Sequence, residues 1–121
     1  MILVDTSVWI DHLHRADPEL VALLERNDVA THAMVIGELA LGTIAKRDEF
    51  LGLLAALPAA SEASHAEVVD FVSARRLYGR GLSLVDAHLL ASAVLGESTL
   101  LWTRDRRLAS AAADLGHAWH P

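Results

Sequence analysis

The feature that most constrains the fold is a short apolar run at the start of the chain that ends on an acid. Residues 1–4 (Met-Ile-Leu-Val) lead directly into Asp5, and Thr6 and Ser7 follow. The β-branched residues and the Thr-Ser pair, placed like a helix N-cap, predict a buried strand that turns at once into a helix. In an open α/β sheet, ligands bind beyond the carboxyl ends of the strands. The side chain of Asp5 is therefore predicted to point into a functional site.

Strand-like and helix-like segments alternate along the rest of the chain. After the helix that follows Asp5, further helices are predicted over residues 18–27, 47–57, 84–95 and 105–115. Two more are predicted from Thr31 or His32 to Leu41 and from Ser61 or Ser64 to Tyr78. Short strands are predicted at residues 29–30, 59–60, 99–102 and 118–119. Such alternation predicts a parallel sheet covered on both faces. We expect residues 1–121 to form one three-layer α/β/α domain with a central parallel sheet of four or five short strands.

The composition excludes several classes of protein. The chain has no cysteine, which excludes thiol chemistry, and its 53% of hydrophobic residues excludes disorder. No apolar run approaches the roughly 18 residues of a membrane span, and no signal peptide is visible, so we expect a cytoplasmic protein without membrane contact. The net charge of −6 is unusual for a protein that binds nucleic acid. Six of the ten basic residues nevertheless fall in two clusters, Arg75, Arg76 and Arg80, and Arg104, Arg106 and Arg107.

Three more acids occupy positions that a solvated surface does not explain. Glu38 lies within a predicted helix and Asp86 near the start of another, each with apolar neighbours three and four residues away. Asp105 follows a predicted strand, so it is expected beyond the carboxyl end of that strand, as Asp5 is. Each acid also has a structural explanation: an edge position or a buried salt bridge for Glu38 and Asp86, and the N-cap of the last helix for Asp105. Together with Asp5, they predict one acidic cavity.

Four carboxylates in one cavity repel each other and need compensation. Each pair at ~4 Å costs about 4 kcal/mol at an effective dielectric constant of 20. Mg²⁺ and Mn²⁺ are hard cations that bind carboxylate and water oxygens. Such an ion lowers the pKa of a bound water and stabilises the charge on a phosphodiester. The acids therefore predict metal-assisted hydrolysis of phosphodiester bonds.

The motifs that carry these acids resemble those of the PIN-domain ribonucleases. They are Val4-Asp5-Thr6-Ser7, Glu38-Leu39 with Gly42, Leu84-Val85-Asp86-Ala87 and Thr103-Arg104-Asp105. The pattern covers the whole chain and is most similar to the toxin subunit of VapBC toxin–antitoxin modules. The resemblance implies a PIN-like fold, endonucleolytic cleavage of RNA that depends on Mg²⁺ or Mn²⁺, and inhibition by a small cognate antitoxin. It also implies a homodimer within a larger toxin–antitoxin assembly.

The resemblance further implies roles for single residues. Asp5 and Asp86 are expected to hold the principal metal ion, and Asp105 to complete its shell directly or through water. Glu38 is expected either to bind the metal or to activate the attacking water. The hydroxyls of Ser7 and Thr103 match accessory positions that orient a metal-bound water or a carboxylate.

The resemblance leaves the number of ions at one or two. Where the family sometimes carries a further acid after Asp105, this chain has Arg106-Arg107-Leu108. The two arginine clusters are expected to line the rim and neutralise RNA phosphates, with solvated helix faces as the alternative.

Two other functions fit parts of the pattern. A phosphoacceptor receiver domain has a similar length and an acid after its first strand. It also needs an aspartate after its third strand and a late lysine, whereas this chain has alanine at positions 59 and 60 and Lys46 as its single lysine. The second alternative is a PIN-like scaffold that binds protein or RNA without catalysis, against which the complete acidic quartet argues.

Overall fold

A parallel sheet of three strands lies at the centre of the fold, in the order β2-β1-β3. The structure is a computed structural model that describes all 121 residues, from Met1 to Pro121. The central strand β1 (Ile2–Val4) pairs with β2 (Val29–Ala30) on one side and with β3 (Leu100–Trp102) on the other. All three residues of β1 are buried, as expected for a parallel sheet covered on both faces.

Seven helices surround this sheet and confirm the predicted α/β class. They are α1 (Thr6–His14), α2 (Pro18–Glu25), α3 (Ala33–Ala40), α4 (Arg47–Ala55), α5 (His65–Ala74), α6 (Leu84–Leu95) and α7 (Arg106–Asp114). None of them has the length and apolar character needed to cross a bilayer.

The helix predicted from Ser61 or Ser64 to Tyr78 is the clearest error in the helix boundaries, because α5 begins after Ser64 but ends at Ala74. Ser64 begins α5 with a capping box that includes Glu67. At the other end, Arg76 has the left-handed φ of 55° that commonly terminates a helix. Leu77 then turns into the core, where it is buried. The apolar spacing continues past this turn, which is why the sequence pattern overestimated the helix.

The sheet has fewer strands than the four or five predicted. Residues 59–60 and 118–119 each reach an edge of the sheet but form only single bridges, Thr31 with Ala59 and Leu101 with Ala118. Thr31 donates its N–H to the carbonyl of Pro58 at 2.8 Å and accepts the N–H of Ala60 at 2.8 Å. Small alanine side chains offer little surface to hold a longer pairing in place.

The main hydrophobic core is a cluster of 20 buried residues that includes all of β1, and α6 contributes both to it and to a smaller cluster with Val68. Every residue of α6 from Ala87 to Ala93 is buried. Asp86 comes immediately before this buried stretch, so the core fixes the position of its backbone. The ends of β1, β3 and the start of α6 are therefore held by the same packed interior.

Two adjacent leucines of α4 test how much this packing contributes to stability. Leu54 is 1% exposed, whereas Leu53 is 64% exposed on the same helix. We expect Leu54→Ala to lower the free energy of unfolding by roughly 2–5 kcal/mol, because it leaves a cavity. Leu53→Ala should stay within about 0.5 kcal/mol of the wild type. Chemical denaturation of both variants measures the difference, and equal losses would contradict this description of the core.

The helix α3 begins with an unusual cap, a buried histidine. The ring of His32 is 2% exposed, and its Nδ1 accepts the N–H of Met34 at 3.0 Å. Nε2 has no hydrogen-bond partner. Burial lowers the pKa of His32 below its ordinary value of 6.5; the nearby Glu62 carboxylate opposes this shift, and His88 adds to it. The folded protein therefore binds a proton on this ring more weakly than the unfolded chain does.

This pKa shift predicts that stability falls in mild acid. The contribution of neutral His32 is complete above pH 6.5 and is lost as the pH falls toward the lowered pKa, by at most ~1.4 kcal/mol per pH unit. Asparagine also caps a helix but does not titrate. The difference in free energy of unfolding between the wild type and His32→Asn should therefore shrink as the pH falls from about 8 to about 5. Denaturation curves across this range measure that difference. Parallel profiles would show that His32 does not titrate in this way.

Candidate active site

The carboxylate of Asp5 lies where the two central strands end together. The backbone N–H of Asp5 donates to the carbonyl of Trp102 at 2.9 Å, which continues the β1–β3 pairing by one residue. Its Oδ2 accepts the hydroxyls of Ser7 and Thr103, each at 2.7 Å. Asp5 is only 6% exposed, so these two hydrogen bonds replace most of the water that a charged carboxylate would otherwise bind.

The same two hydroxyls also hold the backbone that leads to Asp105. Ser7 Oγ accepts the N–H of Arg104 at 3.1 Å, and Thr103 Oγ1 accepts the N–H of Asp105 at 3.0 Å. Asp105 is the N-cap of α7, as predicted, since its Oδ1 accepts the N–H groups of the second and third residues of that helix at 2.9 and 3.0 Å. Asp5 and Asp105 therefore share one hydrogen-bonded network.

Asp86 is the third acid of this site and is held by a capping box. Its Oδ2 accepts the N–H of Ser83 at 3.0 Å, and Ser83 Oγ accepts the N–H of Asp86 at 3.1 Å. Burial raises the pKa of Asp86 above its ordinary 3.8, and the charges of Asp5 and Asp105 raise it further, against the lowering effect of the Ser83 hydrogen bonds. Asp5 and Asp105 are thus close enough to Asp86 to act on its charge, although burial has the larger effect. The Ser-x-x-Asp spacing was visible in the sequence as a signal for this cap.

Glu38 is exposed, as Asp105 is, whereas Asp5 is buried and Asp86 is half-buried. The expectation that its face of the helix turns toward the core is wrong: Val35 and Leu39 are buried, whereas Met34 and Leu41 are 37% and 91% exposed. Of its apolar neighbours three and four residues away, Met34 and Leu41 therefore lie at the surface with Glu38, while Val35 is buried. Glu38 Oε1 accepts the hydroxyl of Thr6 at 2.6 Å.

Thr6 is a site residue that the sequence did not predict. It precedes Ser7 in the motif that follows Asp5, and it connects Glu38 to the start of α1. A polar side chain in the first turn of a helix is usual for capping reasons alone, so the sequence offered no signal for this contact between residues 32 positions apart.

The donor set of the site fits a hard divalent cation, although no three histidine, aspartate or glutamate side chains are arranged to hold one metal ion. Asp5 Oδ1, Asp86 Oδ1 and Asp105 Oδ2 make no hydrogen bond to the protein, while the partner oxygen of each is held in place. Mg²⁺ usually binds one or two carboxylates and keeps several waters. An incomplete shell of carboxylate oxygens therefore suits it better than a closed protein cage.

The six arginines predicted at the rim fall into different environments. Arg104 is occupied, because its Nε is 2.7 Å from Asp11 Oδ2, its Nη2 pairs with Asp17, and its guanidinium lies over the Trp102 ring. Arg75 lies over the Phe71 ring, and Arg76 forms the left-handed turn after α5. The remaining three line a shallow cavity with Ser110; they are Arg80, Arg106 and Arg107.

Comparisons with known proteins show the family of this chain. The PIN domain family model matches residues 2–114. The protein named Ribonuclease VapC32 from two strains of Mycobacterium tuberculosis, CDC 1551 / Oshkosh and H37Rv, is 53% identical over 118 residues. The aligned region covers 98% of this chain and 95% of the relative. The matched residues include every acid of the site, and the chain belongs to the PIN-domain family.

Proposed function

We propose that this protein is a metal-dependent endoribonuclease and the toxin component of a toxin–antitoxin pair. The observation that carries the proposal is the hydrogen-bonded network in which Ser7 and Thr103 join the carboxylate of Asp5 to the backbone of Asp105. This network sits beyond the ends of adjacent parallel strands, where α/β proteins bind ligands. Similarity to a protein named as a VapC ribonuclease supports RNA as the substrate.

We propose Asp5 and Asp86 as the main ligands of a divalent cation, Mg²⁺ or Mn²⁺, with Asp105 binding directly or through water. When bound, the cation supplies positive charge to the cleaved phosphodiester and a water of lowered pKa. The protein contributes the placement of the carboxylates. Each has one oxygen fixed by hydroxyl or backbone donors and the other left for the ion. Such supporting hydrogen bonds orient metal ligands and tune their affinity.

Glu38 is the residue best suited to accept a proton in this site. Thr6 holds its Oε1 at 2.6 Å, and the exposed Oε2 makes no hydrogen bond to the protein. Because Glu38 is exposed, its carboxylate is available to a water molecule at neutral pH. We propose it as the group that activates the attacking water, with metal binding as the alternative role.

The proposed partners are RNA, a cognate antitoxin and a second copy of the chain. Support for a protein partner comes from an apolar cavity of about 470 Å³ between α1, α2 and α4. Two leucines that border this cavity are exposed, Leu13 at 39% and Leu53 at 64%, and contiguous exposed apolar surface is typical of a protein interaction site.

Metal binding can be tested through the charge of Asp86. Asp86→Asn keeps an oxygen for the Ser83 cap but removes the charge that Asp5 and Asp105 repel. We expect this variant to melt at a higher temperature than the wild type in chelator and to gain less stability from added Mn²⁺. Asp70→Asn, an exposed acid of α5, is the matched control and should behave as the wild type. Thermal melts with and without Mn²⁺ measure both effects, and an unchanged Mn²⁺ response of Asp86→Asn would refute the ligand assignment.

Cleavage of a single-stranded RNA by the purified protein tests the function itself. We expect cleavage in Mg²⁺ or Mn²⁺, none in chelator, and loss of activity in Asp5→Asn. If Glu38 activates water, Glu38→Gln should lower the rate by roughly 10²–10⁴-fold and leave Mn²⁺ affinity unchanged. A fall in affinity would instead identify Glu38 as a ligand. An intact RNA after incubation with metal-loaded wild type would favour the scaffold that binds without catalysis.

A further inference from the structure

Three guanidinium groups meet on one face of the protein at the start of α7. Arg80, Arg106 and Arg107 line, with Ser110, a shallow cavity of about 310 Å³ that has no apolar residue in its wall. The chain carries a net charge of −6 and only ten basic residues, so three of them around one cavity is a strong local concentration of positive charge. A cavity of this composition suits an anion and offers nothing to an apolar ligand.

The backbone that positions the acidic site also positions this cavity. Arg106 and Arg107 follow Asp105 directly. The backbone N–H of Arg107 is one of the two N–H groups that donate a hydrogen bond to the Asp105 side chain. Ser110 lies one turn further along α7, on the same face of the helix. The acidic site and the basic cavity are therefore fixed to each other through a single turn of helix.

Gly81 makes room for the guanidinium of Arg107. A Cβ on Gly81 would lie 2.5 Å from Nη1 of Arg107, and the φ of this glycine is +76°. The positive φ favours glycine at this position. The loop between α5 and α6 therefore passes directly beside the Arg107 side chain, which is itself exposed.

The guanidinium groups of Arg106 and Arg107 form no ion pair within the chain. Arg80 pairs with Asp114 at 2.9 Å, and Arg104 pairs with Asp11 and Asp17, but neither Arg106 nor Arg107 forms an ion pair. Both lie in the first turn of α7, which contains no acid. The N-terminus of a helix is its positive end, so two cations there reduce stability. A bound anion would relieve this repulsion.

We propose that Arg106 and Arg107, supported by Arg80 and Ser110, form a subsite for a backbone phosphate of the RNA strand next to the scissile bond. This inference rests on the proposed ribonuclease function. Arginine binds phosphate through two parallel hydrogen bonds, and contacts to phosphate fix the register of a strand without reading its sequence. The subsite would hold one side of the cleaved bond while the acidic site acts on it. Of the six arginines in the predicted rim, these two follow Asp105 directly and form no ion pair.

The test compares two variants that lower the net charge equally. Arg106→Gln/Arg107→Gln removes the subsite, and Arg15→Gln/Arg26→Gln removes two exposed arginines that form no ion pair and lie outside the cavity. Affinity for a labelled single-stranded RNA is measured by fluorescence anisotropy in Ca²⁺ over a range of salt concentrations, with a gel to verify that the RNA stays intact. The salt slope of binding should fall by about 0.7 for each phosphate that the variant no longer neutralises.

We expect the subsite variant to neutralise one or two fewer phosphates than the wild type and to raise KM for RNA cleavage more than it lowers kcat. The control pair should keep the wild-type slope, and Arg106→Lys/Arg107→Lys should recover most of it. Mn²⁺ affinity of the subsite variant should match the wild type, because the acids are intact. Wild-type slope and KM in the subsite variant would overturn the inference, and would point to an acidic segment of a protein partner as the ligand of the cavity. Failure of wild type to cleave RNA with metal would instead refute the proposed function.

Discussion

The structure depends on keeping one buried carboxylate charged at the end of β1. Burying an ionised group without partners is costly, and Asp5 avoids that cost through two hydroxyl donors at 2.7 Å. One donor, Ser7, comes from α1, and the other, Thr103, comes from the residue after β3. The hydrogen bonds that protect the charge therefore also lock the ends of two strands together.

The other acids are held in a similar way, each by a group with a structural task of its own. Asp86 completes the cap of α6, Asp105 caps α7, and Thr6 at the start of α1 holds Glu38. Their positions are thus fixed by backbone and hydroxyl donors, and burial, together with the charges of Asp5 and Asp105, raises the pKa of Asp86. Alanine at either cap would weaken a helix as well as the site, so asparagine is the substitution that separates the two roles.

Local signals in the sequence were sufficient for much of this arrangement. Asp5 after a β-branched run and Asp105 before an apolar helix both follow from strand and cap rules that act over a few residues. The exposure of Glu38 could not be predicted from the sequence. The spacing of apolar residues on α3 does not determine which face of the helix is covered by another helix. The strand count failed for a related reason: at residues 59–60 and 118–119, pairing depends on the sheet edge they meet, not on their own composition. Contacts such as that between Thr6 and Glu38 exist only once the chain is folded.

The guanidinium group of Arg104 connects the loop after β3 to the first two helices. Its guanidinium joins Asp11 on α1 to Asp17, and Asp17 in turn caps the start of α2. The loop that carries Thr103 and Asp105 is thereby anchored to the junction of the first two helices rather than only to its own strand. A tilt of α2 away from α1 would therefore have to break or move ion pairs that belong to the same loop as Thr103 and Asp105.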